Sequence, residues 1–345
     1  MYSEKPKLRK RQELHKPGSL RTVALDVTPR CNMSCPHCYA ETFNRTSVVG
    51  LAELEKTQME LYDMGVYHYI LQGGEPILDP ARLEHIINNC YPDETYINVV
   101  SNGWNMTRDK ILWLKGLKVD KLSFSMDSGI EAEHDANRAA GSFKRVVEAI
   151  DNVLTAGLLA SISVVVTHAS LYSEGFRMAY EFAKSKRIRI DVQIAEPVGK
   201  WDGKTDVLLT PDDSGYIKQL QINCPRLPSG QKMLNRDIFS GADDHCPAVT
   251  EFMAITANGE VLPCNFLQFT LGNIGDKEGK SFADMRNALM GTMWFNGKIR
   301  NCLCGENKDF IGQFVLPYVN ATKPLDAYEF FGITGGGVGT MGGSR

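Results

Sequence analysis

The chain has 345 residues, 43% of them apolar and 23% charged, with a net charge of −3. That length exceeds what one compact core usually needs, so it predicts one full domain and a smaller one. The charge balance gives no global bias toward nucleic acid, no apolar run reaches the ~20 residues of a membrane span, and the charged N-terminus lacks the apolar stretch of a secretory signal. A reducing, cytoplasmic setting is therefore expected, in which the nine cysteines are ligands or free thiols rather than disulfides.

The basic run "KPKLRKRQELHK" (5–16) reads as part of a solvated tail over residues 1–20, with a phosphate-binding arm as the alternative. From residue 21, short apolar runs alternate with amphipathic stretches. "TVALDV" (22–27), "YHYILQ" (67–72), "YINVVS" (96–101), "KLSFSM" (121–126), "LASISVVVT" (159–167) and "RIDVQIA" (189–195) read as strands. Helices are expected over 51–65, ended by Gly65, over 79–90, capped by Asp79 with Pro80 in its first turn, and near 107–116. Two more are expected over 142–157, capped by Ser142 and stopped by Gly157, and near 172–185. Six β-then-α units in a row demand right-handed crossovers and a parallel sheet with helices outside. Six rather than eight units predict a partial barrel, with its chemistry in the loops at the carboxyl ends of the strands. Those loops begin with "TPRCNMSCPHCY", "GGEP", "SNG", "DSG" and "EPVG".

After residue 200 the pattern changes. Residues 201–240 are rich in Gly, Pro and Asp and read as a connector. "FMAITANGEVLPC" (252–264) reads as a hairpin with Asn258-Gly259 as a type I′ turn, and a helix is expected near 281–292. The stretch "GITGGGVGTMGGSR" (332–345) is too glycine-rich to pack and reads as a mobile tail.

"TPRCNMSCPHCYAE" (28–41) places Cys31, Cys35 and Cys38 within eight residues. A structural zinc wants four protein ligands, and His37, adjacent to Cys38, is poorly placed to be the fourth. A cubane iron–sulfur cluster accepts three thiolates and leaves one iron open to a ligand that must react. This C-x3-C-x2-C motif, followed by the aromatic Tyr39 and sitting on the loop after the first strand, resembles the signature of radical S-adenosylmethionine (SAM) enzymes. "LQGGEP" (71–76) after the second strand resembles the same family's loop for the methionine amine, which implies cofactor roles for Gln72, Gly73, Gly74, Glu75 and Pro76. There the glycines allow close backbone approach and Glu75 adds charge. "VVSNG" and "FSMDS" resemble the family's ribose- and carboxylate-binding strand ends and imply Asn102 and Ser125. "HDANR" followed by "GSF" resembles a segment of anaerobic sulfatase maturases, which implies that Arg138 meets the SAM carboxylate. For Gln72, Asn102 and Ser125, a local strand-end or turn hydrogen bond is an equal alternative. The resemblance covers about residues 22–200. It implies a [4Fe-4S] cluster, reductive cleavage of SAM to methionine and a 5′-deoxyadenosyl radical, hydrogen-atom abstraction from a substrate, and a flavodoxin- or ferredoxin-like electron donor.

Downstream, Cys246 and Cys264 frame a C-x12-G-x4-C spacing that resembles the opening of the SPASM auxiliary-cluster module, and only Cys302 and Cys304 remain to complete it. The resemblance therefore implies the shortened, twitch-type form with one auxiliary [4Fe-4S] cluster. The one-residue gap between Cys302 and Cys304 leaves open a set of three ligands with an exposed iron; zinc-binding or free thiols are the other alternative. Cys90 reads as core packing. Cys224 reads as a loop thiol, or as a hydrogen-atom donor if the connector crosses the active face.

The whole reads as α/β: a partial (β/α)6 barrel with parallel strands over 21–200, a connector over 201–240, a small twitch-type domain of hairpin and helix over 241–312, and an extension over 313–345. Three functions compete. The first is oxidation or cross-linking of a peptide or protein side chain, the second oxidation or epimerisation of a sugar-like small metabolite. The third is a non-enzymatic metal-binding or electron-transfer module, against which the GGEP loop and the open coordination site argue.

Overall fold

The structure is a computed structural model that describes residues 5–42, 46–236, 245–276 and 279–333. Six parallel strands form its centre: β1 (Thr22–Thr28), β2 (His68–Gly73), β3 (Tyr96–Ser101), β4 (Lys121–Ser125), β5 (Leu159–Val166) and β6 (Arg189–Ile194). The sheet then continues past both expected edges. β7 (Leu234–Arg236) pairs parallel with β6, and β8 (Phe252–Ile255) pairs parallel with β1 and antiparallel with β9 (Val261–Leu262). The order β7-β6-β5-β4-β3-β2-β1-β8-β9 places the two halves of the chain in one curved, mostly parallel sheet.

The helices are α1 (Pro6–Leu14), α2 (Leu51–Asp63), α3 (Pro80–Asn89), α4 (Arg108–Gly116), α5 (Glu131–Asn137), α6 (Ser142–Thr155), α7 (His168–Leu171), α8 (Glu174–Lys186), α9 (Pro211–Asn223), α10 (Phe282–Leu289), α11 (Lys308–Phe314) and α12 (Ala327–Phe330). Asp79 caps α3 by accepting from Arg82 N, and Thr107 caps α4 by accepting from Lys110 N. The cap of α6 is Gly141 at φ +82°, not Ser142, whose hydroxyl instead donates to Asp135 Oδ1. Apolar residues such as Leu122 and Phe124 pack in the main core, while alternate residues such as Asn98, Ser123, Ser161 and Asp191 turn polar side chains to the other face, where Ala24 and Ile70 of β1 and β2 are apolar. Ser123 bonds Asn98 and Ser161 there at 2.9 and 2.8 Å, and Arg189 Nε meets Asp191 at 2.6 Å.

Several expectations are corrected. The supposed solvated tail contains α1, which buries Leu8. It anchors Lys5 Nζ on Asp120 at 2.6 Å and on the Thr95 carbonyl at 3.1 Å, at the starts of β4 and β3. A polar run folds here because its cations find strand-start acceptors rather than because it is amphipathic. The supposed connector contains α9, whose start is a reciprocal capping box between Thr210 and Asp213, and then β7. Its Gly and Pro content marks the ends of these elements, not an unstructured link.

The expected twitch-type domain does not stand apart. β8 lies against β1, the N–H groups of Phe282 and Ala283 donate to Glu60 of α2, and one apolar core runs from Leu25 and Leu61 to Phe282 and Met285. Within the 313–345 extension, β11 (Leu325–Asp326) pairs with β10 (Phe269–Thr270), and Phe330 and Phe331 pack on Phe269 and Phe314. The glycine-rich tail from 334 onward lies outside the described residues. The hairpin turn is not type I′: Gly259 alone has positive φ, +95°, and its N–H donates to Thr256 O. That is a type I turn followed by a left-handed glycine.

Candidate active site

Two loops meet at the carboxyl ends of β1 and β2. Gly74 N donates to Thr28 O and Glu75 N to Arg30 O, each at 2.8 Å. A Cβ on Gly74 would sit 2.0 Å from Arg30 O, and Gly73 holds φ +125°. Only glycine permits this contact, so the GGEP loop locks the backbone that leads into the cysteine loop.

Cys31, Cys35 and Cys38 are half-buried and open on one cavity of about 160 Å³. Of the other residues singled out in the sequence, Tyr39, Gln72, Gly73, Gly74, Asn102, Ser125 and Arg138 also line it. Tyr39 OH accepts from Gln72 Nε2 at 2.9 Å. Asn102 Nδ2 donates to Asn32 Oδ1 at 2.8 Å and lies 3.9 Å from Cys31 Sγ.

Glu75 and Pro76 do not line the cavity. Glu75 is 1% exposed and its carboxylate takes three hydrogen bonds: Oε2 accepts from Asn102 N at 2.7 Å, Oε1 from Ser101 Oγ at 2.9 Å and from Ile77 N at 3.4 Å. Burial raises its pKa, and the bonds from Asn102 and Ser101 oppose that. In the structure this carboxylate ties the end of β2 to the end of β3. Pro76 starts the short 3-10 turn that follows.

Arg138 is placed at the cavity, but its guanidinium already grips Asp127, with Nε–Oδ2 2.8 Å and Nη2–Oδ1 2.7 Å. Its Nη1 lies 3.7 Å from Cys35 Sγ and Nη2 lies 3.2 Å from His37 Nε2. Burial works against the Asp127 carboxylate, yet Arg138 and then His37 outweigh it and hold its pKa below the usual value. Burial pushes the Cys35 thiol up, and Arg138 pulls it back. Asp127 follows the fourth strand in the "DSG" loop; as a lone acid in a strand-end loop it gave no separate signal in the sequence.

The second cysteine group gathers at the open seam of the sheet. Cys246, Cys264 and Cys302 line a cavity of about 520 Å³. Cys304 lies behind them, 2% exposed, with its thiol donating to Phe266 O at 3.3 Å; burial and then the neighbouring Glu196 and Cys264 push its pKa well up. Ile194, Glu196 and Phe266 line both cavities. Glu196 Oε1 is 3.7 Å from Cys302 Sγ. Sequence reasoning named the "EPVG" loop but not Glu196, Phe266 or Asn265 as cavity residues. Cys90 is core, 0% exposed with Gln58 Nε2 3.1 Å from its sulfur. Cys224 lines neither cavity and receives Leu234 N at 3.3 Å, so it is a structural thiol rather than a hydrogen donor at the reaction site.

Among the described residues, no three Cys, His, Asp or Glu side chains gather closely enough to clasp one metal ion. Three thiols around an open cavity, with a guanidinium and a side-chain amide facing their sulfurs, fit a larger polynuclear group that leaves one position for a second ligand. Among the described residues, no helix is long and apolar enough to cross a membrane.

The chain is 25% identical over 289 residues to the AdoMet-dependent heme synthase of Methanosarcina barkeri, covering 74% of this chain and 80% of that one. It is also 25% identical over 295 residues to the PqqA peptide cyclase of Methylocella silvestris, covering 80% and 78%. Among solved structures it shares its fold with Streptococcus suis SuiB bound to the precursor peptide SuiA, at TM-score 0.59 and 16% identity over 81% of this chain and 67% of that one. Radical SAM proteins use a [4Fe-4S] cluster and SAM. Residues 25–183, which hold the cysteine loop, the GGEP lock and most of the lining of the strand-end cavity, match the Radical SAM superfamily, and this part of the chain is a radical SAM domain.

Proposed function

We propose that this enzyme oxidises or cross-links a peptide or protein side chain, with Cys31, Cys35 and Cys38 holding the SAM-binding cluster and Cys246, Cys264, Cys302 and Cys304 holding an auxiliary one. When bound, the first cluster and SAM supply a hydrogen-atom abstraction, and the auxiliary cluster supplies an acceptor for the electron left behind. The observation that carries the reading is the shared wall: Ile194, Glu196 and Phe266 line both cavities, so one set of side chains separates the two cysteine groups. The peptide component follows similarity to PqqA peptide cyclase, to the subtilosin biosynthesis protein AlbA of Bacillus subtilis and to mycofactocin maturases.

This chain's residues position and shield. Gly73 and Gly74 offer backbone to the cavity, Tyr39 and Gln72 form its hydrogen-bonded side, and Asn102 and Ser125 present polar groups at the strand ends. Phe266, edge-on to Tyr39 at 5.3 Å, gives the wall an apolar face that excludes water.

The test is co-expression with any short peptide encoded beside the gene, followed by mass spectrometry. Loss of hydrogen pairs from that peptide, dependent on Cys31 and Cys264, is expected. An unmodified peptide, with turnover of a small metabolite instead, would reject the peptide reading. That second reading, oxidation or epimerisation of a small polar metabolite, is favoured by the polar lumen, where Ser123, Ser163, Asp191 and Gln193 line the first cavity.

A further inference from the structure

Cys38 is gripped by a segment far away in sequence. After β6, residues 196–202 pass under the cysteine loop. Lys200 N donates to Cys38 O at 3.1 Å, and Lys200 Nζ to Ser34 Oγ at 2.7 Å. Trp201 packs against His37, ring centroids 5.7 Å apart. Gly199 makes this possible. It holds φ +63°, and a Cβ there would lie 2.2 Å from Cys38 O and 2.5 Å from Tyr39 Cα, both backbone atoms that cannot swing aside. The other end of the same segment carries Glu196, 3.7 Å from Cys302 Sγ.

We propose that Gly199 is a positioning residue for the SAM-binding cluster: by admitting the segment after β6 to within backbone contact of Cys38 and Tyr39, it sets where the third thiolate stands. This rests on the reading that Cys38 is a cluster ligand. Gly74 locks the entry to the cysteine loop and Gly199 locks its exit, so the three thiols are fixed from both sides. The strap also joins the two cysteine groups through consecutive residues, from Glu196 at Cys302 to Lys200 at Cys38.

Gly203 provides the control. It lies in the same loop at φ +78°, but a Cβ there meets the Val319 side chain, with Cγ2 at 2.6 Å and Cγ1 at 3.0 Å, and no backbone atom of the cysteine loop. Gly199→Ala and Gly203→Ala thus carry similar backbone strain, and only the first presses on the cysteine loop. Both are made in the full chain, reconstituted anaerobically with iron and sulfide. The readouts are iron per chain, SAM affinity, and the change that SAM causes in the electron paramagnetic resonance of the reduced SAM-binding cluster, with the second cluster's signal as internal reference.

Gly199→Ala is expected to weaken SAM binding by about tenfold or more and to blunt that spectral change, because small misplacements of a reacting group are costly. The second cluster's signal stays as in wild type, and Gly203→Ala resembles wild type throughout. The proposal is overturned if Gly199→Ala binds SAM within about twofold of wild type, or if Gly203→Ala loses as much. Should Gly199→Ala fail to fold, Lys200→Met removes the strap's ammonium, with its contact to Ser34 and its charge near His37, and keeps the backbone bond to Cys38. A smaller shift of the same spectrum is then expected, and an unchanged spectrum overturns the proposal. Wild-type protein without iron at the first site would instead reject the cluster reading itself.

Discussion

The two cysteine groups are built in opposite ways. Cys31, Cys35 and Cys38 lie on one loop, and the groups that fix them are backbone atoms: Gly74 N on Thr28 O, Glu75 N on Arg30 O, Lys200 N on Cys38 O. Cys246, Cys264 and the Cys302–Cys304 pair come from separate segments joined by packing, with Cys246 N on Ile299 O and Cys304 held to Phe266 O. The first site takes its thiols from one loop, and its backbone contacts require glycine at Gly74 and Gly199. The second exists only once β8 has docked on β1 and α10 on α2. It follows that single substitutions break the first site sharply, whereas the second responds to the state of the whole interface.

The sharpest contrast lies in the buried pair beneath the first site. Arg138→Gln leaves Asp127 charged, 5% exposed and without its guanidinium. Breaking a buried pair in this way costs on the order of 3–5 kcal/mol. Denaturant unfolding of the anaerobic protein should show a loss of that size, and no loss would mean that Asp127 is neutral. The pH dependence follows in sign. The Asp127 pKa is depressed in the folded protein, so its stabilisation is present above the unfolded value near ~3.9 and lost as pH falls through the folded one. Stability measured across that window should fall with acid in wild type and more shallowly in an Asp127→Asn variant.

Glu75→Gln should come next in size. Its amide nitrogen would face Asn102 N or Ser101 Oγ, and leaving one such buried group unsatisfied costs about 1–3 kcal/mol. SAM affinity should fall only as far as the ends of β2 and β3 separate. Weakened SAM binding with undiminished stability would restore a direct contact between this carboxylate and the cofactor.

In the second region the smallest effect is expected at Glu60, where Glu60→Gln keeps a weaker acceptor for Phe282 N and Ala283 N. Losing the charge at the N-terminus of α10 should cost about 0.3–1 kcal/mol. A modest fall in melting temperature is expected with iron content unchanged. Loss of iron would show that the second site depends on this one contact.

The same contrast explains what was legible in the sequence. The six central strands, the cysteine loop and the GGEP loop could be read because their signals are contiguous: apolar alternation, thiol spacing and paired glycines. β7 and β8 were hidden as extensions of the sheet because their partners, β6 and β1, lie far away in sequence and the strands themselves are short. Residues 5–14 misled because α1 is held by ion pairs and carbonyls, as at Lys5 and Arg11, and not by an apolar face. The bonds from Ser101 and Asn102 to Glu75 were not legible, since no sequence pattern states that the end of β3 reaches this carboxylate. Gly199 was passed over because a glycine after a strand is ordinary until the backbone it touches is known.

The most direct test of the two-site account is iron content and SAM cleavage in Cys264→Ala. In the anaerobically reconstituted variant, iron should fall to about half of wild type, and dithionite should still yield 5′-deoxyadenosine and methionine. Iron unchanged from wild type, or a soluble variant that keeps the first cluster yet cleaves no SAM, would contradict it.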